Sequence, residues 1–145
     1  MKPKAFIEHL DHDGIVAAIR EAEARCRGEI RVHVSNRKVE DAQTAAAEQF
    51  EKLGMTATAE RNGVLIYVAP ASQSFAVIGD RGIHEKCGES FWREVASAME
   101  GDFREGRFTD GIIKGIARTA EALAAQFPRT QAPDANELPD EVTRD

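Results

Sequence analysis

Two apolar segments that lie four residues apart constrain the fold of this chain most. The first, Gly63–Ala69, is apolar throughout, which is typical of a strand covered by helices on both faces of a sheet. The second, Ser74–Gly79, follows after Pro70-Ala71-Ser72-Gln73. A parallel crossover needs about a dozen residues or more, so four are too few. We therefore predict two antiparallel strands, with the first in the centre of its sheet.

Helical periodicity surrounds these strands. Four helices are predicted. The first begins after Asp11 or Asp13 and ends before Gly28, and the other three span residues 40–53, 83–99 and 109–126. Glu29–Val34 alternates polar and apolar residues, which predicts a strand with one buried face and one more exposed face. A helix of crossover length joins it to Gly63–Ala69, so these two strands should run parallel. The sequence thus predicts an α/β protein with a small mixed sheet.

Composition limits the function classes. The 145 residues, 42% of them hydrophobic, fit one domain. The formal net charge of -6 argues against nucleic-acid binding, which needs a basic surface. The longest apolar run, Val64–Ala69, is far shorter than the roughly 20 residues of a membrane-spanning helix. Residues 1–9 contain no apolar stretch of signal-peptide length, so we expect a cytoplasmic protein without a membrane span.

The last part of the chain differs in composition from the rest. Residues 128–145 contain five acidic and two basic residues, and three of the five prolines. Few sizeable apolar residues are available there to offset the entropy lost on ordering. We therefore predict an α/β domain over residues 1–127 and a flexible acidic tail over residues 128–145.

Polar residues are predicted to converge at one edge of the sheet. Parallel strands start at the same edge, and the antiparallel strand ends there, which makes Glu29, Arg61, Asn62 and Asp80 neighbours. The N-terminus of the third helix, whose free N–H groups favour an anion, should reach the same edge. Clustered carboxylates and an amide oxygen suit a hard cation such as Ca²⁺, and arginine suits a phosphoryl oxygen.

Each of these residues also has a simpler explanation. Asp80 before Arg81-Gly82 is typical of an Asx turn or a helix cap, and Arg61-Asn62-Gly63 is an ordinary turn signal. The sequence contains neither a phosphate-binding loop motif nor a nucleophile elbow. A purely structural role for these residues therefore stays open.

Several motifs, taken in order, resemble the TPM domain. They are Gly28-Glu29-Ile30-Arg31-Val32, Arg61-Asn62-Gly63-Val64-Leu65-Ile66-Tyr67-Val68-Ala69, Gly79-Asp80-Arg81-Gly82-Ile83, Phe91-Trp92 and Phe127-Pro128. The resemblance covers the chain from about Ile15 to Pro128. It implies a Rossmann-like, three-layer α/β/α sandwich. The family includes a thylakoid-lumen acid phosphatase, a photosystem II repair protein and many bacterial members, some of which bind calcium.

The resemblance leads to a first functional hypothesis, a metal-assisted acid phosphatase acting on phosphate monoesters. Glu29 and Asp80 match acidic positions of the family motifs, and Asp110 is a third candidate. These three would hold Ca²⁺ or another divalent cation. The catalytic residues would be Asp80, Arg61 and His84, with His84 protonating the leaving group, and the substrate-binding residues would be Asn62, Arg81 and Gly82. The substrate would be a phosphate-bearing small molecule or a phosphopeptide.

A second hypothesis comes from a different class. The domain would be a non-enzymatic calcium-binding or scaffold module that contacts a membrane-associated protein partner. Turnover of a phosphate ester that depends on Asp80 and Glu29 would distinguish the enzyme from the module.

Overall fold

The computed structural model describes residues 10–57, 61–128 and 142–144. The elements run α1 (His12–Arg25), β1 (Glu29–Val34), α2 (Ala42–Lys52), β2 (Gly63–Ala69), β3 (Ser74–Gly79), α3 (Arg81–Cys87), α4 (Ser90–Arg104), α5 (Phe108–Gln126) and β4 (Val142–Arg144). A single 3-10 turn, Pro70–Ser72, joins β2 to β3. Of the two predicted caps of the first helix, Asp11 is the one used, because its carboxylate accepts a hydrogen bond from Gly14 N–H.

One mixed sheet with strand order β3-β2-β1-β4 organises the molecule. β1 and β2 are parallel, with Glu29 opposite Gly63, and β2 and β3 are antiparallel, with Val64 opposite Gly79. These pairings confirm both strand directions predicted from the lengths of the connections. β2 lies between β1 and β3, as its uninterrupted apolar sequence predicted.

Helices cover both faces of the sheet, so the fold is the predicted three-layer α/β/α sandwich. On one face, α2 packs Ala46 and Phe50 against Leu65 and Tyr67 of β2. On the other face, α1, α4 and α5 form the larger core around Ile66 with completely buried side chains, among them Ile15, Ile19, Val95, Met99, Ile112 and Ile116. Burying a side chain of this size contributes about 1.5–3 kcal/mol, so this face dominates the stability of the fold.

β1 corrects one expectation. The alternating sequence predicted that one face would be more exposed than the other, but Glu29, Arg31 and His33 are 4%, 2% and 1% exposed. Neighbouring groups bury them and satisfy their polarity. The Arg31 guanidinium donates to the Leu53 carbonyl, and the His33 ring stacks on Tyr67. The alternating residues of β1 therefore identified a polar face of the strand correctly, but other parts of the chain cover that face.

The predicted helix over residues 83–99 is in fact two helices. α3 ends at Cys87, and Gly88 has a φ of +75°, a left-handed conformation that side chains other than glycine rarely adopt. Its N–H donates to the His84 carbonyl and closes the turn. The helical periodicity continues after Gly88, which is why the pattern alone did not reveal the break.

The C-terminal segment contains a strand that the sequence did not predict. Val142–Arg144, within the predicted flexible tail, forms β4 and pairs in parallel with residues 32–34 of β1. Pro128 forms an isolated bridge with Cys26. A three-residue strand can be held because β1 offers an unpaired edge and because Val142 packs against the larger core. Residues 129–141 and 145 of the predicted tail lie outside the described residues, and the boundary at residue 127 stays a prediction.

Among the helices of the described residues, none is both long enough and apolar enough to cross a lipid bilayer.

Candidate functional site

An arginine–aspartate pair closes the sheet edge at which β1 and β2 begin. Arg61 Nε donates to Asp80 Oδ2 at 2.7 Å, and Arg61 Nη2 donates to Asp80 Oδ1 at 2.8 Å. The backbone draws the two residues together, because Asp80 N–H donates to the Gly63 carbonyl and Gly82 N–H donates to the Arg61 carbonyl. This fork-shaped pairing is the strongest geometry available to an arginine and a carboxylate. The hydrogen bond to Asp80 raises the pKa of the Arg61 guanidinium above its ordinary value.

Asp80 also caps α3. Its Oδ1 accepts a third hydrogen bond, from Arg81 N–H at 2.7 Å, and the residue is only 6% exposed. The cap that the sequence left open as an alternative is therefore present, and the same carboxylate binds Arg61. Three of the roughly four lone-pair sites of the carboxylate are used within the protein.

Glu29 and Asn62 lie at the same edge but are buried. Glu29 N–H donates to the Asn62 carbonyl at 3.3 Å, and the Asn62 side-chain amide donates to the Arg27 carbonyl at 2.9 Å. The two residues are 4% and 2% exposed. The structure thus brings the backbones of Glu29, Asn62 and Asp80 to one edge, as predicted. In this arrangement the Asn62 amide holds the loop before β1.

Of the remaining predicted residues at this edge, Arg81 and His84 are exposed and Gly82 is half-buried. Arg81 lies in the first turn of α3, and His84 follows one turn later. The His84 ring stacks on Trp92 with 6.3 Å between ring centroids, and its Nδ1 accepts a hydrogen bond from Trp92 Nε1 at 3.3 Å. Gly82 contributes its N–H to the Arg61 carbonyl, so that donor is already used.

Asp110 lies at the opposite edge of the sheet. It is in the first turn of α5, beside Phe108, which lines a cavity with residues from the end of β2 and the start of β3. The far end of α5 is the one near β1, because Phe127 bonds to Arg27. The predicted set of Glu29, Asp80 and Asp110 is therefore not assembled.

A cation site does not fit the side chains of this edge. Within residues 10–57, 61–128 and 142–144, no three His, Cys, Asp or Glu side chains are grouped as a metal ion would require. Asp80 is committed to Arg61 and to its cap, and Asp110 is at the other edge.

A cavity of about 410 Å³ lies at the Asp110 edge, and no sequence pattern predicted it. Its walls include Phe75 of β3, Phe103 of α4 and Phe108 of α5. Helical and strand periodicity assigns such residues to the core, and all three do pack against it. The only sequence signal was the close succession of Phe103 and Phe108 around the turn between two helices.

That turn is fastened by a buried carboxylate. Asp102 is 3% exposed, and it pairs with Arg107 at 2.8 Å and with Lys114 at 2.9 Å. Hydrogen bonds from Lys114 and then Arg107 hold the pKa of Asp102 below its ordinary value of 3.8. This cluster joins the end of α4 to the start of α5.

The fold and this edge define a class: α/β/α sandwiches with a four-stranded mixed sheet whose strand-start edge is closed by an arginine–aspartate pair. Within that class, the chain belongs to the TPM domain family, which matches residues 3–122. The resemblance drawn from the sequence motifs is thereby confirmed.

Three solved structures are similar to this chain. The NMR structure of the BA42 protein from the psychrophilic bacterium Bizionia argentinensis is 36% identical, with 94% of this chain and 96% of that chain covered and a TM-score of 0.85. The N-terminal domain of a protein from P. gingivalis shares the fold, with 14% identity, 85% of this chain and 83% of that chain covered, and a TM-score of 0.66. The N-terminal domain of the cg2496 protein from Corynebacterium glutamicum also shares the fold, with 13% identity, 81% of this chain and 74% of that chain covered, and a TM-score of 0.62. No curated protein matches the chain.

Proposed function

We propose that this TPM domain is a non-enzymatic scaffold module whose motif residues stabilise the sheet edge. The observation that carries the proposal is that the Asp80 carboxylate already accepts three hydrogen bonds within the protein, two from Arg61 and one from Arg81. A catalytic or metal-binding carboxylate needs lone pairs directed at its substrate or ion. Here, binding either one would mean giving up a fork-shaped ion pair and a helix cap.

The other residues that the sequence predicted for a phosphatase site support the same proposal. Glu29 and Asn62 are almost completely buried, which keeps them from a phosphate ester in solvent. His84 and Arg81 are exposed, but Asp80 beside them is not available to complete a catalytic set. A scaffold needs only a rigid edge and exposed surface, and this arrangement supplies both. Its partner would be a protein, the membrane-associated class that the family resemblance suggests.

A turnover assay tests the proposal against the phosphatase hypothesis. Purified protein would be incubated with p-nitrophenyl phosphate at mildly acidic and neutral pH, with and without Ca²⁺. Wild type, Asp80→Asn and Glu29→Gln would be compared with Asp110→Asn, which changes an exposed carboxylate at the other edge. We expect no turnover above the protein-free rate for any of them. Turnover that disappears in Asp80→Asn and Glu29→Gln but persists in Asp110→Asn would overturn the proposal.

Thermal unfolding of alanine variants at the same two aspartates provides a positive readout. Asp80→Ala removes the cap of α3 and should lower the free energy of unfolding by at least about 1 kcal/mol, the usual effect of losing a cap. Asp110→Ala should change it little, because Asp110 is exposed. Equal stability of the two variants would contradict the structural role given to Asp80.

A further inference from the structure

The cavity at the Asp110 edge has the dimensions of a ligand site. Its volume of about 410 Å³ lies within the range of roughly 300–1,000 Å³ that is usual for small-molecule pockets. It is formed between the β2–β3 connection and the turn that joins α4 to α5. Because the Arg61–Asp80 pair is at the opposite edge of the sheet, this cavity is separate from the family motif residues.

One wall of the cavity is aromatic. Phe75 and Phe103 make an edge-to-face contact with 5.1 Å between ring centroids, and Phe103 and Phe108 are tilted at 6.0 Å. All three are only partly buried, so part of each ring remains accessible. A flat aromatic group placed here would gain both apolar burial and favourable ring-to-ring geometry.

The rest of the lining includes polar side chains that can donate hydrogen bonds. The Ser74 hydroxyl oxygen is buried and has no hydrogen-bond partner among the described residues, which is rare for a buried polar atom. Gln73 adds a side-chain amide, and Arg104 adds a guanidinium. Glu100 is the one carboxylate of the lining, and it already accepts a hydrogen bond from Arg104. That bond uses one of the five N–H donors of the guanidinium.

From this lining we infer that the cavity binds a small aromatic carboxylic acid. The aromatic ring of the ligand packs against Phe75, Phe103 and Phe108. The carboxylate accepts hydrogen bonds from the Arg104 guanidinium and, once the Ser74 side chain rotates toward the cavity, from the Ser74 hydroxyl. An anion is favoured over a neutral ligand because Glu100 uses only one of the five N–H donors of Arg104 and because a charged acceptor makes the stronger hydrogen bonds with the others. This assignment does not depend on whether the domain is an enzyme.

Two probes that differ only in charge test the inference. The full chain would be titrated with naphthoate and with naphthamide, its uncharged analogue, and followed by amide NMR. We expect saturable shifts at Ser74, Phe75 and Arg104 with naphthoate below about 1 mM, and at least about tenfold weaker binding of naphthamide. Equal binding of the two probes, shifts confined to other regions, or no saturation with naphthoate would each overturn the assignment.

Variants separate the ligand contact from folding. Ser74→Ala removes a hydroxyl that has no partner, so the melting temperature should stay the same or rise while naphthoate binds about tenfold more weakly. Arg104→Gln should weaken naphthoate similarly and leave naphthamide unchanged. Arg118→Gln is the matched control, because Arg118 is an exposed arginine paired with Glu121 outside the cavity. Unchanged naphthoate binding in both cavity variants would contradict the inference.

Discussion

Trp92, the single tryptophan of the chain, packs directly over a glycine. Its ring makes an edge-to-face contact with Phe91 at 4.5 Å and covers Gly79, the last residue of β3. A Cβ atom at Gly79 would overlap the indole ring. The absence of a side chain at this position therefore lets α4 approach the sheet.

We predict that Gly79→Ala lowers the free energy of unfolding by about 1–3 kcal/mol, because the rigid indole ring must move to make room. Tryptophan fluorescence should shift at the same time, since Trp92 is the only emitter of its kind. The control is Gly101→Ala in α4, where a Cβ atom meets nothing within 4 Å. That change should raise stability by about 0.5–1 kcal/mol through helix propensity. Denaturant unfolding monitored by fluorescence measures both effects, and a neutral Gly79→Ala would refute the packing argument.

The candidate site was partly predictable at this scale. Strand directions placed Glu29, Asn62 and Asp80 at one edge, and this placement is correct. The pairing of Arg61 with Asp80 was not predicted, because it depends on a left-handed backbone at Arg61 (φ +52°) and on side-chain rotamers that only the folded surroundings determine. Local spacing determines which residues lie near each other, whereas the partner of each side chain depends on tertiary packing.

Among the elements, the connection between α4 and α5 depends on charge. Arg107 N–H bonds to the Asp102 carbonyl, and the Asp102 carboxylate bonds to Arg107 and Lys114. The folded structure holds the pKa of Asp102 below 3.8, so the folded chain binds this proton less readily than the unfolded chain does. The stabilisation from ionised Asp102 is therefore complete above about pH 4. It is lost as the pH falls through the pKa of Asp102 in the folded chain, which is lower than the pKa in the unfolded chain.

We predict that the melting temperature of Asp102→Asn is lower than that of wild type at pH 7 and that the difference narrows below about pH 4. The narrowing follows because wild type then loses the charge that the variant already lacks. Glu105→Gln is the control, since Glu105 also pairs with Arg107 but is 61% exposed on its side chain. Its pH profile should parallel that of wild type. Circular dichroism melts from pH 7 to about pH 2 provide the comparison, and a constant Asp102→Asn difference would count against the proposed linkage.

The elements themselves were largely predictable. Periodicity located the first, second and last predicted helices to within a few residues, and connection lengths gave the strand directions. The break at Gly88 was missed because apolar residues keep helical spacing on both sides of it. β4 was missed because a three-residue strand has too little sequence to show a pattern, and its stability comes from the edge of β1.

On the scale of the whole molecule, β4 completes the sheet. Thr143 Oγ1 lies 2.8 Å from His33 Nδ1, which adds a side-chain hydrogen bond to the strand pairing. Val142–Arg144 therefore covers the edge of β1 that would otherwise present unpaired backbone groups.

We predict that removing residues 142–145 accelerates amide hydrogen exchange in residues 32–34 of β1, which pair with β4. Exchange in β3 should not change, because β3 pairs with β2 on the other side of the sheet. Thr143→Val is the milder control: it removes the hydrogen bond to His33 and keeps the strand, so it should have a smaller effect. Unaltered exchange at residues 32–34 after the deletion would show that β4 does not protect β1.

The contact between His33 and Thr143 spans 110 positions of the chain. During synthesis, β1, β2 and β3 are all available once residue 79 has left the ribosome, whereas β4 emerges only after α4 and α5. The nascent domain therefore passes through an interval in which the outer edge of β1 is uncovered and able to pair with another chain. Chaperone engagement and wrong pairing between nascent copies should be most frequent in this interval, which ends when the last strand is added.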